Sequence, residues 1–307
     1  MMKKYFVFLL LMQLSVFSYG QIIADHTVVD RYADIPQYYI DQVKKMWLSY
    51  AGESHSGAIR SGLSALEVLN AAYAVSVVES GVPEPYTAAN LRASRATWGD
   101  VNNGSGWIYE YGEEDWYTSA TAIERTKAGL LYCKNNGPAL SAFGFGWCWD
   151  ACWINGLGGS PDPVTGNYWA GASEGGPEGN LRWGLDDADN VLTGNSVNMD
   201  TYLRATQEYI DYCAANGIAT KVFFTTGPVD TYVDETGYQN HLKQEHIRAY
   251  VEAHPATILF DYADILCYDD NGIMTTTAWN GHIYPIITSK NLTPTVAAYH
   301  ISNAGAL

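Results

Sequence analysis

Apolar residues along this chain follow two alternating patterns. The stretches "KMWLSYAGES" (45–54) and "YAVSVVESG" (73–81) are short apolar runs ending near a glycine, typical of buried strands. Between them, Ile59, Leu63 and Leu66 recur at near-helical spacing and predict a helix over 56–74. The alternation continues, with strands predicted within 139–150, 218–228 and 256–266 and helices within 119–137, 198–217 and 236–255.

Five apolar strands separated mostly by helices predict an α/β fold with a parallel sheet covered on both faces. Such doubly wound sheets bind ligands beyond the carboxyl ends of their strands. Four glycines lie at or near predicted strand ends: Gly52, Gly81, Gly146 and Gly227. The sequence therefore places its candidate site at that rim.

Two segments interrupt the alternation, residues 82–118 and 153–198. Both are rich in glycine, tryptophan and tyrosine, and we interpret them as ordered insertions around the same rim. Neither an internal repeat nor a low-complexity linker stands out. The interpretation is one domain over residues 21–307.

The first 20 residues have a basic start, an apolar run and small residues at the end. This pattern predicts a secretory signal peptide, cleaved between Gly20 and Gln21. The apolar run is too short for a stable membrane span, and no cysteine follows it as a lipid anchor would require. We expect a secreted or periplasmic protein without a membrane anchor.

Composition and charge limit the classes of binding partner that we expect. The formal net charge is −16, which disfavours nucleic acid and anionic membranes and is compatible with neutral substrates such as glycans. The chain has five cysteines, an odd number. Cys148 and Cys152 stand four apart with no histidine near them, so a local disulfide or two buried thiols is favoured over a metal site.

The stretch "SYAGESHSG" (49–57) carries the candidate chemistry. A serine between a strand and a helix has an exposed hydroxyl, helix amides behind it, and its own N–H to donate to an oxyanion. Ser54 occupies that position, and Ser56 is interpreted as the helix N-cap. His55 is not taken as the base, because neighbouring side chains in a turn diverge.

Here the chain resembles the SGNH, or GDSL-type, hydrolases from about residue 42 onward. The resemblance rests on "GES", "VVESG", "FGFGWCWD" and "YHISNAGAL", which follow the first, second, third and fifth predicted strands. It implies a flavodoxin-like three-layer fold and ester hydrolysis, often of acetyl groups on carbohydrates, with no metal and no cofactor. It assigns Ser54 as nucleophile, His300 as base, and the N–H groups of Ser54 and Gly81 to the oxyanion hole.

Three departures affect this assignment. The third block lacks its asparagine, so we expect a backbone N–H of Gly146 or Trp147, or an indole N–H, to donate instead. Ala297 stands where the family has the acid that orients the base. A backbone carbonyl or one of four carboxylates is left to take that role: Asp261, Asp264, Asp269 or Asp270. Activity is therefore expected to be reduced or lost unless such a replacement is in place.

The family usually has a closing helix after the histidine, and this sequence ends at Leu307, which suggests a fragment. His282 is the reserve candidate for the base, while His241 and His246 are expected at surface positions. Glu113, Glu114 and Asp115 lie in one stretch and do not suit a glycosidase, which needs opposed carboxylates.

The alternative function is a non-catalytic glycan-binding protein on the same scaffold. It would use tryptophans of the rim segments, whose flat faces suit sugar rings. These are Trp98, Trp107, Trp116, Trp147, Trp149, Trp153, Trp169 and Trp183. The sequence leaves the ester, the leaving alcohol and the oligomeric state open.

Overall fold

The structure is a computed structural model that describes residues 21–29, 31–52, 54–78, 89–95, 97–98, 107–108, 117–118, 120–147, 185–187 and 198–292. The strands are β1 Ile22–Ala24, β2 Trp47–Ala51, β3 Val75–Val78, β4 Leu91–Ser94, β5 Thr97–Trp98, β6 Trp107–Ile108, β7 Ala142–Phe145, β8 Lys221–Val222, β9 Phe224–Thr225, β10 Ile258–Phe260, β11 Thr276–Trp279 and β12 His282–Pro285. The α-helices are α1 His26–Val29, α2 Gln37–Val43, α3 Ser54–Leu69, α4 Ala120–Asn136, α5 Met199–Ala215, α6 Glu235–Ala253 and α7 Tyr262–Cys267. Short 3-10 turns cover Tyr32–Asp34 and Ala71–Tyr73.

A five-stranded sheet in the order β3-β4-β2-β7-β8 forms the centre of the fold. Every pairing in it is parallel, with Ser49 of β2 opposite Ser94 on one side and Phe143 on the other. Helices flank the sheet, in agreement with a flavodoxin-like three-layer sandwich. The predicted fold class is confirmed.

A second parallel sheet, β1-β10-β9, continues from the first. Lys221–Val222 pairs with β7, while Phe224–Thr225 of the same segment pairs with β10. At the break, the Phe223 N–H donates to the Phe143 carbonyl (3.1 Å). One strand is thus shared between the two sheets.

The helices form two layers. α4, α5 and α6 pack side by side, and their apolar faces meet the sheet in a core that includes Leu130, Tyr209 and Val251. A smaller cluster joins α3 to α7 through Ile59 and Leu266. Local signals support two of these helices. The Asn198 side chain caps the first turn of α5, and the Asp234 side chain caps the first turn of α6.

Several predicted boundaries were wrong. Residues 91–94, within a segment interpreted as an insertion, form β4 between β2 and β3; its short stretch with Arg92 carries no apolar run. The fifth predicted strand is only Ile258–Phe260, and the chain then turns into α7. β1 was missed. The end of α6 at Ala253, by contrast, agrees with the prediction that Pro255 stops this helix.

The stretch around His282 forms a hairpin. β11 and β12 pair antiparallel across Asn280 and Gly281, whose φ values of 47° and 84° suit a tight hairpin turn. The hairpin packs on the first turns of α6, where the Tyr284 hydroxyl donates to the Tyr232 carbonyl (2.9 Å).

Candidate functional site

The turn after β2 has the geometry needed to present a serine. Gly52 has φ of +119°, a conformation that side chains rarely adopt. A Cβ on Gly52 would lie 2.0 Å from the Gly146 carbonyl oxygen. Ser54 then begins α3, a helix of 16 residues. The predicted strand–turn–helix setting of Ser54 is therefore present in the backbone.

This turn lies where the chain changes direction in the sheet. From β2 the chain first adds β3 and β4 on one side, and later adds β7 and β8 on the other. In open α/β sheets the crevice beside such a switch point is the usual ligand site. Gly52 and Gly146 stand at the carboxyl ends of the two strands that border it, and the Gly146 N–H donates to the Ala51 carbonyl (2.8 Å).

A buried arginine fixes the turn from below. Arg60 Nη1 donates to the Tyr50 carbonyl (2.7 Å) and to Ser56 Oγ (3.1 Å). Ser56 is fully buried inside the first turn of α3. The interpretation of Ser56 as the N-cap was wrong, because the helix begins two residues earlier. His55, which the sequence analysis did not take as the base, is also buried.

Two of the proposed oxyanion donors are used by the fold itself. Besides the Gly146 N–H, the indole N–H of Trp147 donates to the Thr225 carbonyl (3.0 Å). The Trp147 ring is buried beside Tyr202, with the centroids 4.6 Å apart. For these two N–H groups the expectation is corrected, because each already satisfies a carbonyl of the sheet.

The structure does not describe the other positions that the resemblance assigns. Gly81, Ala297 and His300 lie outside the described residues, as do the predicted signal peptide at 1–20 and Cys148 and Cys152. Their assignments stay predictions. β4 rather than β3 is the neighbour of β2, so the strand ends beside the serine turn belong to β4 and β7.

The four carboxylates that were candidates to orient the base take part in other interactions. Asp261 accepts from Arg248 Nε (2.7 Å), Arg248 Nη2 (2.8 Å) and Thr226 Oγ1 (2.9 Å). Asp264 accepts from the ring and the backbone of His26. Asp269 caps its own exposed loop, and Asp270 pairs with Lys290 at the surface.

The histidines of the second half lie around α6. His282 begins β12 and stacks on Tyr238, with ring centroids 4.1 Å apart. His246 bonds Asp200 (2.7 Å). His241, expected at a surface position, is half-buried, and this burial lowers the pKa of its ring. It lines a cavity of about 310 Å³ between α6 and α7.

One titratable group near the rim was missed by sequence reasoning. Asp230 follows β9, and burial raises its pKa to about 7. Its carboxylate accepts from the Tyr232 N–H (2.7 Å). A single aspartate in "GPVD" carries no sequence pattern that would have indicated this.

Metal-type ligands come together at one point of the described residues. Ligand atoms of Asp25, His26 and Asp264 lie within 4.8 Å of one another. His26 Nδ1 is 2.5 Å from Asp264 Oδ2, and its ring stacks on Tyr268. The pair is already satisfied as a hydrogen bond. The three described cysteines, Cys133, Cys213 and Cys267, are free and buried.

A scan against protein-family models and a search of curated proteins both returned no match to this chain. Among the described residues, no helix is both long and apolar enough to cross a membrane.

Proposed function

We propose that this chain is a secreted or periplasmic serine esterase that hydrolyses an acyl ester, with a carbohydrate ester as the preferred substrate class. The observation that carries the proposal is the Gly52–Ser54 turn at the switch point of the sheet. A serine at the start of α3 lies beside the positive end of a 16-residue helix, which favours developing negative charge.

In the proposed mechanism, His300 removes the proton from Ser54, and the serine attacks the ester carbonyl. The N–H groups of Ser54 and Gly81 hold the oxyanion. The alcohol leaves with a proton from the histidine, and water activated by the same base releases the acid.

The test compares Ser54→Ala with Ser61→Ala, using purified full-length chain and p-nitrophenyl acetate. Ser61 lies on the exposed face of the same helix, where its hydroxyl donates to the Gly57 carbonyl (2.9 Å). We expect Ser54→Ala to abolish hydrolysis and Ser61→Ala to retain it. Equal activity in the two variants would rule out Ser54 as the nucleophile.

A non-catalytic glycan-binding protein is the second candidate. The observation that favours it is the use of the Gly146 and Trp147 indole N–H groups by the sheet, which leaves fewer donors for an oxyanion. Glycan retention by the wild-type chain without Ser54-dependent acetyl release would favour this function over the esterase.

A further inference from the structure

The cavity of about 310 Å³ lies on the carboxyl side of β9 and β10. Its walls come from α6, α7 and the segment around the hairpin, and include Asn240, His241, Gln244, Cys267, Met274 and Pro285. This volume is at the lower end of the range for small-molecule sites. It suits a ligand of about one or two sugar rings.

α6 extends this wall beyond the carboxyl ends of β9 and β10. Arg248 contacts Asp261, directly after β10, and the Gly227 N–H, after β9, donates to Gln244 Oε1 (2.6 Å). One turn earlier, Asn240 Nδ2 donates to the Pro228 carbonyl (3.0 Å). The turns of α6 that precede Gln244 therefore rise past the strand ends, on the same rim as the Ser54 turn.

The cavity lining carries one cation, Arg248, and two carboxylates, Glu245 and Asp264. Arg248 is bound by Asp261, and Glu245 Oε1 accepts from Arg248 Nη1 (2.6 Å). Asp264 is paired with His26. Burial lowers the pKa of His241, which keeps its imidazole neutral near pH 7. Because the carboxylates outnumber the single cation, this wall disfavours an anionic ligand and is compatible with a neutral one.

One polar atom of this wall lacks a partner. His241 Nδ1 is buried without a hydrogen bond and lies 3.9 Å from Glu245 Oε1, beyond hydrogen-bond reach. Buried ring nitrogens are usually satisfied, so a ligand hydroxyl is a suitable partner. The ring is held nearly parallel to Tyr284, with centroids 6.3 Å apart.

Aromatic side chains continue from the cavity wall. Tyr238, next to Gly237 of that wall, stacks on His282 and has Trp279 at a centroid distance of 6.0 Å. All three side chains are half-buried. Aromatic ring faces beside this mostly apolar cavity suit the C–H faces of a sugar ring.

The distance along the rim fits a single substrate. β7 lies between β2 and the strand shared by the two sheets, so β9 is about 10 Å from β2 at ordinary strand spacing. We propose that this cavity is a subsite for a neutral sugar unit of the substrate, with His241 as its hydrogen-bonding residue. The inference rests on the proposed function and names the substrate class of that site.

The experiment measures binding, independently of hydrolysis. Full-length wild type, His241→Phe and Met274→Trp are applied to an array of neutral, uronic and sulfated oligosaccharides. The affinity for a retained neutral glycan is then measured by calorimetry. Phe keeps a flat ring against Tyr284, while Trp at the exposed Met274 narrows the cavity without touching the core. His254→Phe, at the exposed end of α6, is the matched control.

We expect neutral glycans to be retained by the wild type and by His254→Phe, and bound at least tenfold more weakly by His241→Phe and Met274→Trp. Retention of charged glycans alone, no retention at all, or equal binding by all four proteins would overturn the subsite. His241-dependent binding by a wild type that cleaves no ester would keep the subsite and reject the esterase.

Discussion

A Cβ atom on Gly52 would lie 2.0 Å from the carbonyl oxygen of Gly146, at the point where two neighbouring strands end. Gly52→Ala therefore adds a backbone clash to an unfavourable φ. We expect it to lower the free energy of unfolding by about 3 kcal/mol or more and to reduce esterase activity. Urea unfolding and p-nitrophenyl acetate hydrolysis measure the two effects.

Gly272→Ala is the matched control for this change. Gly272 also has a positive φ, +69°, but a Cβ there meets no atom within 4 Å. Its cost should be about 1 kcal/mol, with activity retained. Equal losses in the two variants would show that strain alone, without the contact to Gly146, explains the Gly52 effect.

The second prediction concerns Arg60, whose guanidinium joins the end of β2 to the first turn of α3. Arg60→Met leaves the Tyr50 carbonyl and Ser56 Oγ without this donor. We expect unfolding to become easier by about 2–3 kcal/mol and kcat to fall, because the serine turn loses its support. Ser56→Ala should cost about 1 kcal/mol, since the bond to Tyr50 remains. Unchanged kcat in folded Arg60→Met would contradict the positioning role.

Trp147→Phe separates a structural donor from a catalytic one. The indole N–H bonds the Thr225 carbonyl inside the core, so its loss should cost about 1–2 kcal/mol of stability. Loss of a true oxyanion donor lowers kcat by about 10²–10³-fold. We expect kcat to change less than tenfold, measured at a temperature where the variant is folded. A hundredfold fall would return the indole to the oxyanion hole.

Asp230 predicts a pH dependence of stability. Its pKa in the folded state, about 7, lies above the ordinary value of 3.8. Between pH 3.8 and about 7, the carboxyl group is therefore protonated in the folded state and ionised in the unfolded state. Its contribution to stability is present below about pH 4 and decreases as the pH rises towards 7, by up to about 4 kcal/mol. Asp230→Asn keeps the acceptor for Tyr232 and cannot ionise.

The free energy of unfolding, measured from pH 4.5 to 8, should therefore rise in Asp230→Asn relative to wild type as the pH increases. Asp41→Asn, an exposed acid on α2, should run parallel to wild type. Parallel curves for wild type and Asp230→Asn would refute the raised pKa.

Sequence reasoning succeeded where a single segment carries its own signal. The apolar runs of β2, β3 and β7 and the periodic faces of α3 and α5 identify buried elements without reference to the rest of the chain. β4 was missed because Leu91–Ser94 is short and owes its place to pairing with β2 and β3. α7 was read as a strand, because six residues beside an apolar run do not reveal a period.

The features of the candidate site also divide into those that local sequence predicts and those that it does not. The turn at Gly52 and Ser54 is local and was predicted from its glycine, serine and flanking elements. The Arg60 support, the use of the Trp147 indole and the cavity beside His241 depend on residues 10 to 78 positions apart, or on separate elements. Such contacts are set by the packing of layers, which no single stretch of this sequence contains.

The strand shared by the two parallel sheets has a consequence for how this protein opens. Main-chain hydrogen bonds join residues 221–222 to β7 and residues 224–225 to β10, so one strand is an edge of both sheets. Displacing this strand would break ladder bonds on both sides of Phe223 at once. The amide protons of β7 and β10 should therefore exchange with solvent in one cooperative event, with the same free energy of opening.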